Sequence, residues 1–436
     1  MEQKTLKIDG LADVNLRKKK VLVRLDIDSP LDPKTGKLTS LDRIQMSAPT
    51  LRHLQNEMCA AVIIAHQGDS LDYQNLGPMR EHAKALGKVI RKKIDYIDDP
   101  CGPAAQEAVK KLAPGEFLML GNLSYLAEEI STFENNVKLT PAEMAGAYLV
   151  RSLAPLVQAY VNDAFSAAHR NSPSMVAFQE LLPSAAGHLF FSEITTLDKV
   201  MSSPARPRVF LLGGAKISDA FGMLGQALDN GSADRVLTAG VTGNVFLMAS
   251  GKDLGEANKK FLADRNLLEF VAEAKGHLKK HPRKILAPTD LACEEDDKRT
   301  ERPVPKTSKP MGDALWLDVG EQTIREYEKV IAEAGAVFVN GPAGLYEKPL
   351  FAEGTRRLWG ALEKTKAHTV AGGGDTAAAA RSLIDPTRLS MVCAGGGALA
   401  RHLSGEKLPL VEAMERAHER LRTKGGYKPR PDKEPA

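Results

Sequence analysis

Four glycine-rich turns in the second half of the chain carry most of its visible chemistry: Gly213-Gly-Ala-Lys216, Asn340-Gly-Pro-Ala-Gly344, Gly372-Gly-Gly-Asp-Thr376 and Gly395-Gly-Gly397. A glycine-rich turn that opens a helix offers free backbone N–H groups and the positive helix end to an anion. One such turn is weak evidence, because tight strand-to-helix turns need glycine in any case. Several together, with Lys216 and Asp375 among them, point to a nucleotide polyphosphate. Lys216 suits phosphate charge, and Asp375 suits Mg²⁺, which takes one or two carboxylates beside phosphate oxygens. Asp375 equally suits a helix N-cap, and the two duties are compatible. GxxxxGK[ST] and GxGxxG are both absent, so neither dinucleotide nor P-loop fingerprints apply.

These turns need strands behind them. Short β-branched runs predict strands over 21–25, 61–65, 117–120, 159–161, 209–212, 235–238, 284–287, 336–339, 368–370 and 391–393. Amphipathic stretches predict helices over 43–55, 79–92, 141–156, 219–228, 322–333 and 354–364. Such alternation predicts an α/β fold with two doubly wound parallel sheets. Ligands bind beyond the carboxyl ends of such strands, where all four turns fall. A short helical pattern over 193–200 gives way to Ser202-Ser-Pro-Ala-Arg-Pro207, a linker composition. The reading is a first domain over 1–192, a hinge over 193–207 and a second domain over 208–390. A C-terminal segment over 391–423 and a flexible basic tail over 424–436 complete it.

With Glu347, the four turns resemble the signature segments of the phosphoglycerate kinase family. The first half agrees through Val21-Leu-Val-Arg-Leu-Asp26, Asp42-Arg-Ile44, His66-Gln-Gly68, Tyr160-Val-Asn-Asp-Ala-Phe165 and Ala168-His-Arg170. The segments run in order from about Val21 to about Leu408, and their phrasing is similar to the archaeal branch. The resemblance implies two Rossmann-like domains joined by a hinge helix, the first holding a carboxylate acceptor and the second MgATP. Hinge closure would join the substrates, and the C-terminal helix would return to the first domain. Arg43 matches the family's catalytic arginine. Arg24, Asp26, Asp28, His66, Asp69, Ser124, His169 and Arg170 would border the acceptor. Gly213, Gly214, Asn340 and Gly341 would border the nucleotide, Lys216 its phosphates and Glu347 its ribose. Gly373, Gly374 and Thr376 would form the phosphate-facing helix start, Asp375 would bind the metal, and Gly396 and Gly397 would donate to the transferring phosphoryl. The implied cofactors are ATP/ADP and Mg²⁺. A carboxylate is already nucleophilic, so catalysis reduces to positioning and charge cancellation.

Three acceptor positions depart from the family pattern. Asp69 and Ser124 stand where arginines are usual, and Asp28 stands where asparagine is usual. Together the changes lower the formal pocket charge by four units. Losing two charged phosphate contacts weakens binding by roughly 3–6 kcal/mol. On charge alone, the expectation is a carboxylate acceptor other than 3-phosphoglycerate. Ordinary phosphoglycerate kinase activity, in glycolysis or gluconeogenesis, is the alternative, and a non-catalytic nucleotide-binding homologue is the second.

Composition sets the background. Hydrophobic residues make 43% and charged residues 26% of the 436, which suits globular domains and excludes disorder or a fibrous repeat. From Arg416 onward there are seven basic and three acidic residues, a surplus of four that equals the whole net charge of +4. Charge confined to a tail, with only 5% aromatic residues, argues against a nucleic-acid partner. Cys59, Cys101, Cys293 and Cys393 lie far apart, so reduced, buried thiols are expected. No apolar h-region follows Met1 and no apolar run approaches membrane length, so the expected place is cytoplasmic; the family resemblance implies a monomer or small homo-oligomer.

Overall fold

The computed structural model describes residues 6–68, 75–215, 217–393, 395–403 and 405–423. Asp69, Lys216 and the tail over 424–436 lie outside them. The chain divides into Met1–Thr195 with Lys407–Ala436, and Thr196–Glu406.

The first unit is built on a parallel sheet of β1 (Lys20–Leu25), β2 (Ala60–Ile64), β3 (Asp95–Tyr96), β4 (Phe117–Met119), β5 (Ala159–Asp163) and β6 (Ser184–Ala186), in the order β3-β4-β2-β1-β5-β6. The strands read as near-continuous apolar runs because both faces are covered by helices. Val21, Val23 and Ile63 are fully buried against Leu51 and Leu54 of the Asp42–Asn56 helix. From β1 the chain builds toward β2 on one side, then crosses back to β5 on the other. The sheet's switch point therefore lies between β1 and β5, which place Leu25 beside Asp163.

The second unit repeats the plan with β7 (Arg208–Leu212), β8 (Arg235–Thr238) and β9 (Ile285–Leu286). An antiparallel trio follows, β10 (Asp290–Glu295), β11 (Lys298–Pro303) and β12 (Trp316–Val319). The parallel sheet is completed by β13 (Ala336–Asn340), β14 (His368–Gly372) and β15 (Met391–Cys393), in the order β15-β14-β13-β7-β8-β9. Its switch point lies between β7 and β13. The antiparallel trio is absent from the sequence expectation, because β11 reads Lys-Arg-Thr-Glu-Arg-Pro with no apolar alternation. Its hairpin turns on Asp296 and Asp297, both at positive φ (49° and 57°), as a two-residue type I′ turn requires.

Other boundaries also differ from the expectation. The helix expected over 141–156 is broken into Pro141–Met144, Tyr148–Leu153 and a 3₁₀ turn at Ala154–Leu156. The short helical pattern expected over 193–200 is the end of a longer helix, His188–Ser202, and the division between units falls inside that helix. β15 and the Gly396–Leu403 helix stay with the second unit, so the return to the first begins at Lys407 rather than Met391. That return is the Pro409–Arg422 helix, which buries Leu410, Ala413, Met414 and Ala417. Arg416 and Arg420 pair with Glu180, and Arg422 and His418 pair with Asp9. Three of the seven basic residues from Arg416 onward are thus structural. The four cysteines are buried and form no disulfide. No helix among the described residues is long and apolar enough to cross a membrane.

Candidate functional site

In the first unit, polar side chains gather where β1 ends. Asp26 follows the strand and accepts from Arg43 Nη1 at 2.7 Å. The same nitrogen reaches Ser166 Oγ, just past β5, at 3.4 Å. Burial by itself would raise the Asp26 pKa, but Arg43, Ser166 and His66 hold it below the usual carboxylate range. Asp26 in turn raises Arg43. Among the described residues Arg43 hydrogen-bonds through Nη1 alone.

Arg24 is buried, donating to the Leu25 carbonyl, to Ser174 Oγ at 3.4 Å and toward Nδ1 of His66 at 2.8 Å. A guanidinium can only donate, so His66 Nδ1 accepts and its proton sits on Nε2. Burial, reinforced by Arg24, pushes the His66 pKa down to about 3. His66 is therefore a neutral donor at physiological pH. Behind it, buried Glu129 accepts from Ser172 and from both the N–H and hydroxyl of Ser174.

The two described departures from the family pattern meet at one residue. Asp28 Oδ1 accepts the Gly68 N–H at 3.2 Å, and Ser124 Oγ donates to the Gly68 carbonyl at 2.7 Å. Gly68 has φ +65°, and a Cβ there would come within 2.6 Å of the Asn75 backbone. Burial raises Asp28 despite the Gly68 hydrogen bond. Next door, buried Gln67 links Ser29, Asn75, His82 and Asn122. The third departure, Asp69, lies outside the described residues. Arg170 donates from Nε to Glu134 at 3.1 Å and from Nη2 to the Glu129 carbonyl at 2.8 Å. His169 adjoins it in sequence. The sequence reading missed Glu129, Glu134, Ser166 and Ser174. Each lies more than thirty residues from the partner that makes it relevant, and no local motif marks it.

In the second unit, the glycine turns at the ends of β7 and β13 interlock. Gly213 N–H donates to the Asn340 carbonyl at 2.8 Å and Gly214 N–H to the Pro342 carbonyl at 2.7 Å. A Cβ on Gly213 would lie 2.2 Å from the Pro342 oxygen, and one on Gly341 would lie 2.4 Å from the Gly213 carbonyl carbon. Gly341 N–H donates to Thr376 Oγ1 at 2.8 Å, Asn340 Nδ2 to the Gly372 carbonyl at 3.0 Å, and Gly373 N–H to the Cys393 carbonyl at 3.1 Å.

One sequence expectation changes here. The N–H groups of Gly213, Gly214, Gly341 and Gly373 are spent within the chain, so these glycines serve close packing of turns rather than anion donation. Thr376, which the family resemblance makes the cap of the phosphate-facing helix, accepts the Gly341 N–H and so ties two turns together. The anion-binding geometry that remains is the start of the Gly374–Leu383 helix, where Gly373 (φ +108°) supplies no side-chain cap and a Cβ on Gly374 would meet nothing within 4 Å. Asp375 is exposed in that first turn, and Glu347 is exposed beyond β13. The two carboxylates flank Tyr346, whose pKa is raised by burial and then by both of them. Gly396 and Gly397 open the Gly396–Leu403 helix, half-buried, beside β15. Among the described residues no group of three or more His, Cys, Asp or Glu could hold a metal.

A family model described as phosphoglycerate kinase matches residues 11–406. The phosphoglycerate kinase of Methanothermus fervidus is 38% identical over 401 residues, covering 92% of this chain and 95% of that protein. Phosphoglycerate kinase 1 of Methanosarcina acetivorans is 39% identical over 417 residues, covering 95% and 98%. Among solved structures, the phosphoglycerate kinase of Pyrococcus horikoshii superposes with a TM-score of 0.86 at 32% identity, covering 94% of this chain and all of that one.

Proposed function

The chain belongs to the phosphoglycerate kinase family, and from that premise we propose that it transfers the γ-phosphoryl of ATP to the carboxylate of 3-phosphoglycerate. The observation that carries this reading is the match to phosphoglycerate kinases across nearly the whole chain. A different carboxylate, the expectation drawn from charge, has less support. Asp28 and Ser124 both already have a partner in Gly68, which leaves them a role in shaping the pocket without any new acceptor.

In this reading a carboxylate oxygen attacks the γ-phosphorus, the bond to the β–γ bridging oxygen breaks, and the electron pair leaves with ADP. The products are an acyl phosphate and ADP. Arg43 is aimed by Asp26 and keeps N–H groups for the charge that develops on the transferring phosphoryl. His66 donates from Nε2 to an acceptor oxygen without carrying charge of its own. Arg170 meets the distal phosphate. In the second unit, the helix start at Gly374 faces the nucleotide phosphates with its N–H groups, Glu347 meets the ribose hydroxyls, and Lys216 and the Gly396–Gly397 helix start act on the transferring group. Asp375 would hold Mg²⁺, which neutralises phosphate charge when bound.

The test is ATP consumption with hydroxylamine trapping of the acyl phosphate across a carboxylate panel. Turnover with 3-phosphoglycerate far above other carboxylates supports the reading. Turnover confined to another carboxylate overturns it.

A further inference from the structure

Arg170 already holds an anion, and that anion belongs to the chain. Glu134 Oε2 takes the Arg170 Nε–H at 3.1 Å, while its Oε1 takes the backbone N–H of Asn171 at 2.6 Å. A guanidinium beside a backbone N–H is a donor set that fits any oxyanion, whether side-chain carboxylate or phosphate. The neighbouring cations are committed in other ways. Arg43 is paired with Asp26, and Arg24 is buried among the Leu25 carbonyl, Ser174 and His66. Both Glu134 and Arg170 are 20% exposed, whereas Asp26, the carboxylate of the Arg43 pair, is 6% exposed. Glu134 also rides on the Ser131–Val137 helix, which buries none of its residues. Of these contacts, the Glu134 carboxylate is the one that can swing into water with little packing to lose.

We propose that Glu134 is a specificity-determining residue, an internal carboxylate that occupies the anion donors of Arg170 and Asn171 until a phosphate on the acceptor displaces it. The inference rests on the reading of the acceptor as a phosphorylated carboxylate. A phosphate near neutrality carries up to two negative charges, against one for Glu134, so it wins the competition for Arg170 but at reduced affinity. A neutral distal group cannot displace Glu134 at all. The same pair therefore lowers affinity for the acceptor and sharpens selection for a charged end.

The experiment compares the full chain with Glu134→Gln, whose amide oxygen can still accept the Asn171 N–H, and with Glu134→Ala. The expected result is a KM for 3-phosphoglycerate lowered by about 1.5- to fivefold, the range an exposed ion pair spans, with kcat/KM raised to match. Inorganic phosphate should bind more tightly to both variants by a similar factor in calorimetry, and the KM for MgATP should stay put. An unchanged or raised KM together with unchanged phosphate binding in both variants overturns the proposal and leaves Glu134 as a prop for the 170–171 turn. Phosphate binding needs no turnover, so this outcome is separate from failure of the acceptor reading, which shows as no activity on 3-phosphoglycerate in the unmodified chain.

Discussion

Asp28 and Ser124 hold the two ends of one residue, the carboxylate taking the Gly68 N–H and the hydroxyl donating to the Gly68 carbonyl. Their Gly68 contacts span 40 and 56 residues of sequence, yet they fix a single left-handed turn directly after His66 and Gln67. Two positions that look like lost recognition in the sequence are therefore joined in supporting a loop.

The first prediction follows from that clamp. Ser124→Arg, which restores the usual family residue, removes the donor to Gly68 and should not lower the KM for 3-phosphoglycerate. Ser124→Ala should cost about 1 kcal/mol of stability, the worth of one hydrogen bond, and raise that KM. Thermal melts and steady-state kinetics on both variants check this. A tighter KM in Ser124→Arg would show that position 124 faces the acceptor directly.

Arg43 carries the second. Arg43→Ala should lower kcat by at least about a hundredfold, the scale of losing one group aimed at developing charge, and should also lower the melting temperature, because Asp26 is left buried without its cation. Arg43→Lys should recover only part, because an ammonium cannot bridge two oxygens from one plane. Asp26→Asn removes the charge that aims Arg43 and should lower kcat/KM by about tenfold. Equal kinetics for Asp26→Asn and the unmodified chain would mean that Arg43 is positioned without it.

The third concerns the interlocked turns of the second unit. Gly341→Ala puts a Cβ within 2.4 Å of the Gly213 carbonyl group at a residue with φ +86°, so both steric room and backbone conformation fail. MgADP affinity should fall by at least about tenfold in calorimetry. Thr376→Val, which deletes the acceptor for Gly341 N–H but keeps the volume, should weaken it less. Asp375→Asn should raise the Mg²⁺ concentration needed for half-maximal activity.

What could be read from the sequence was whatever sits close together along it. The glycine turns and the parallel strands behind them were legible because each motif is a short run ending a β-branched strand. The internal pairings were not. Arg170 and Glu134 are 36 residues apart, and Asp9 meets Arg422 across 413. The C-terminal charge surplus accordingly looked like a loose basic tail, although Arg416, Arg420 and Arg422 neutralise acids of the first unit. The free N–H groups expected of the glycines failed for a related reason. A run such as Gly213-Gly214 fixes what the backbone can do, but the strand beside it decides which carbonyl takes its hydrogen.

The last prediction concerns Asp163, which ends β5 beside Leu25 of β1. Its Oδ1 accepts the N–H groups of Leu189 and Phe190 at the start of the His188–Ser202 helix, while Oδ2 is buried with no hydrogen-bond partner. Burial pushes its pKa up to about 7, against the pull of Thr50 and the two N–H groups. An unfolded aspartate ionises near ~4, so the folded chain keeps a proton that the unfolded chain releases over the interval from about 4 to 7. Stability from this group is therefore fully present below that interval, falls as pH rises through it, and stays low above it. Asp163→Asn keeps an oxygen for the helix N–H groups and fills the place of Oδ2 with an uncharged amide. Denaturant melts at pH 5 and pH 8 should show the variant gaining on the order of 2 kcal/mol more at pH 8 than at pH 5. A gain equal at both pH values, or a loss at pH 8, would mean that the Asp163 carboxylate is stabilised in its charged form.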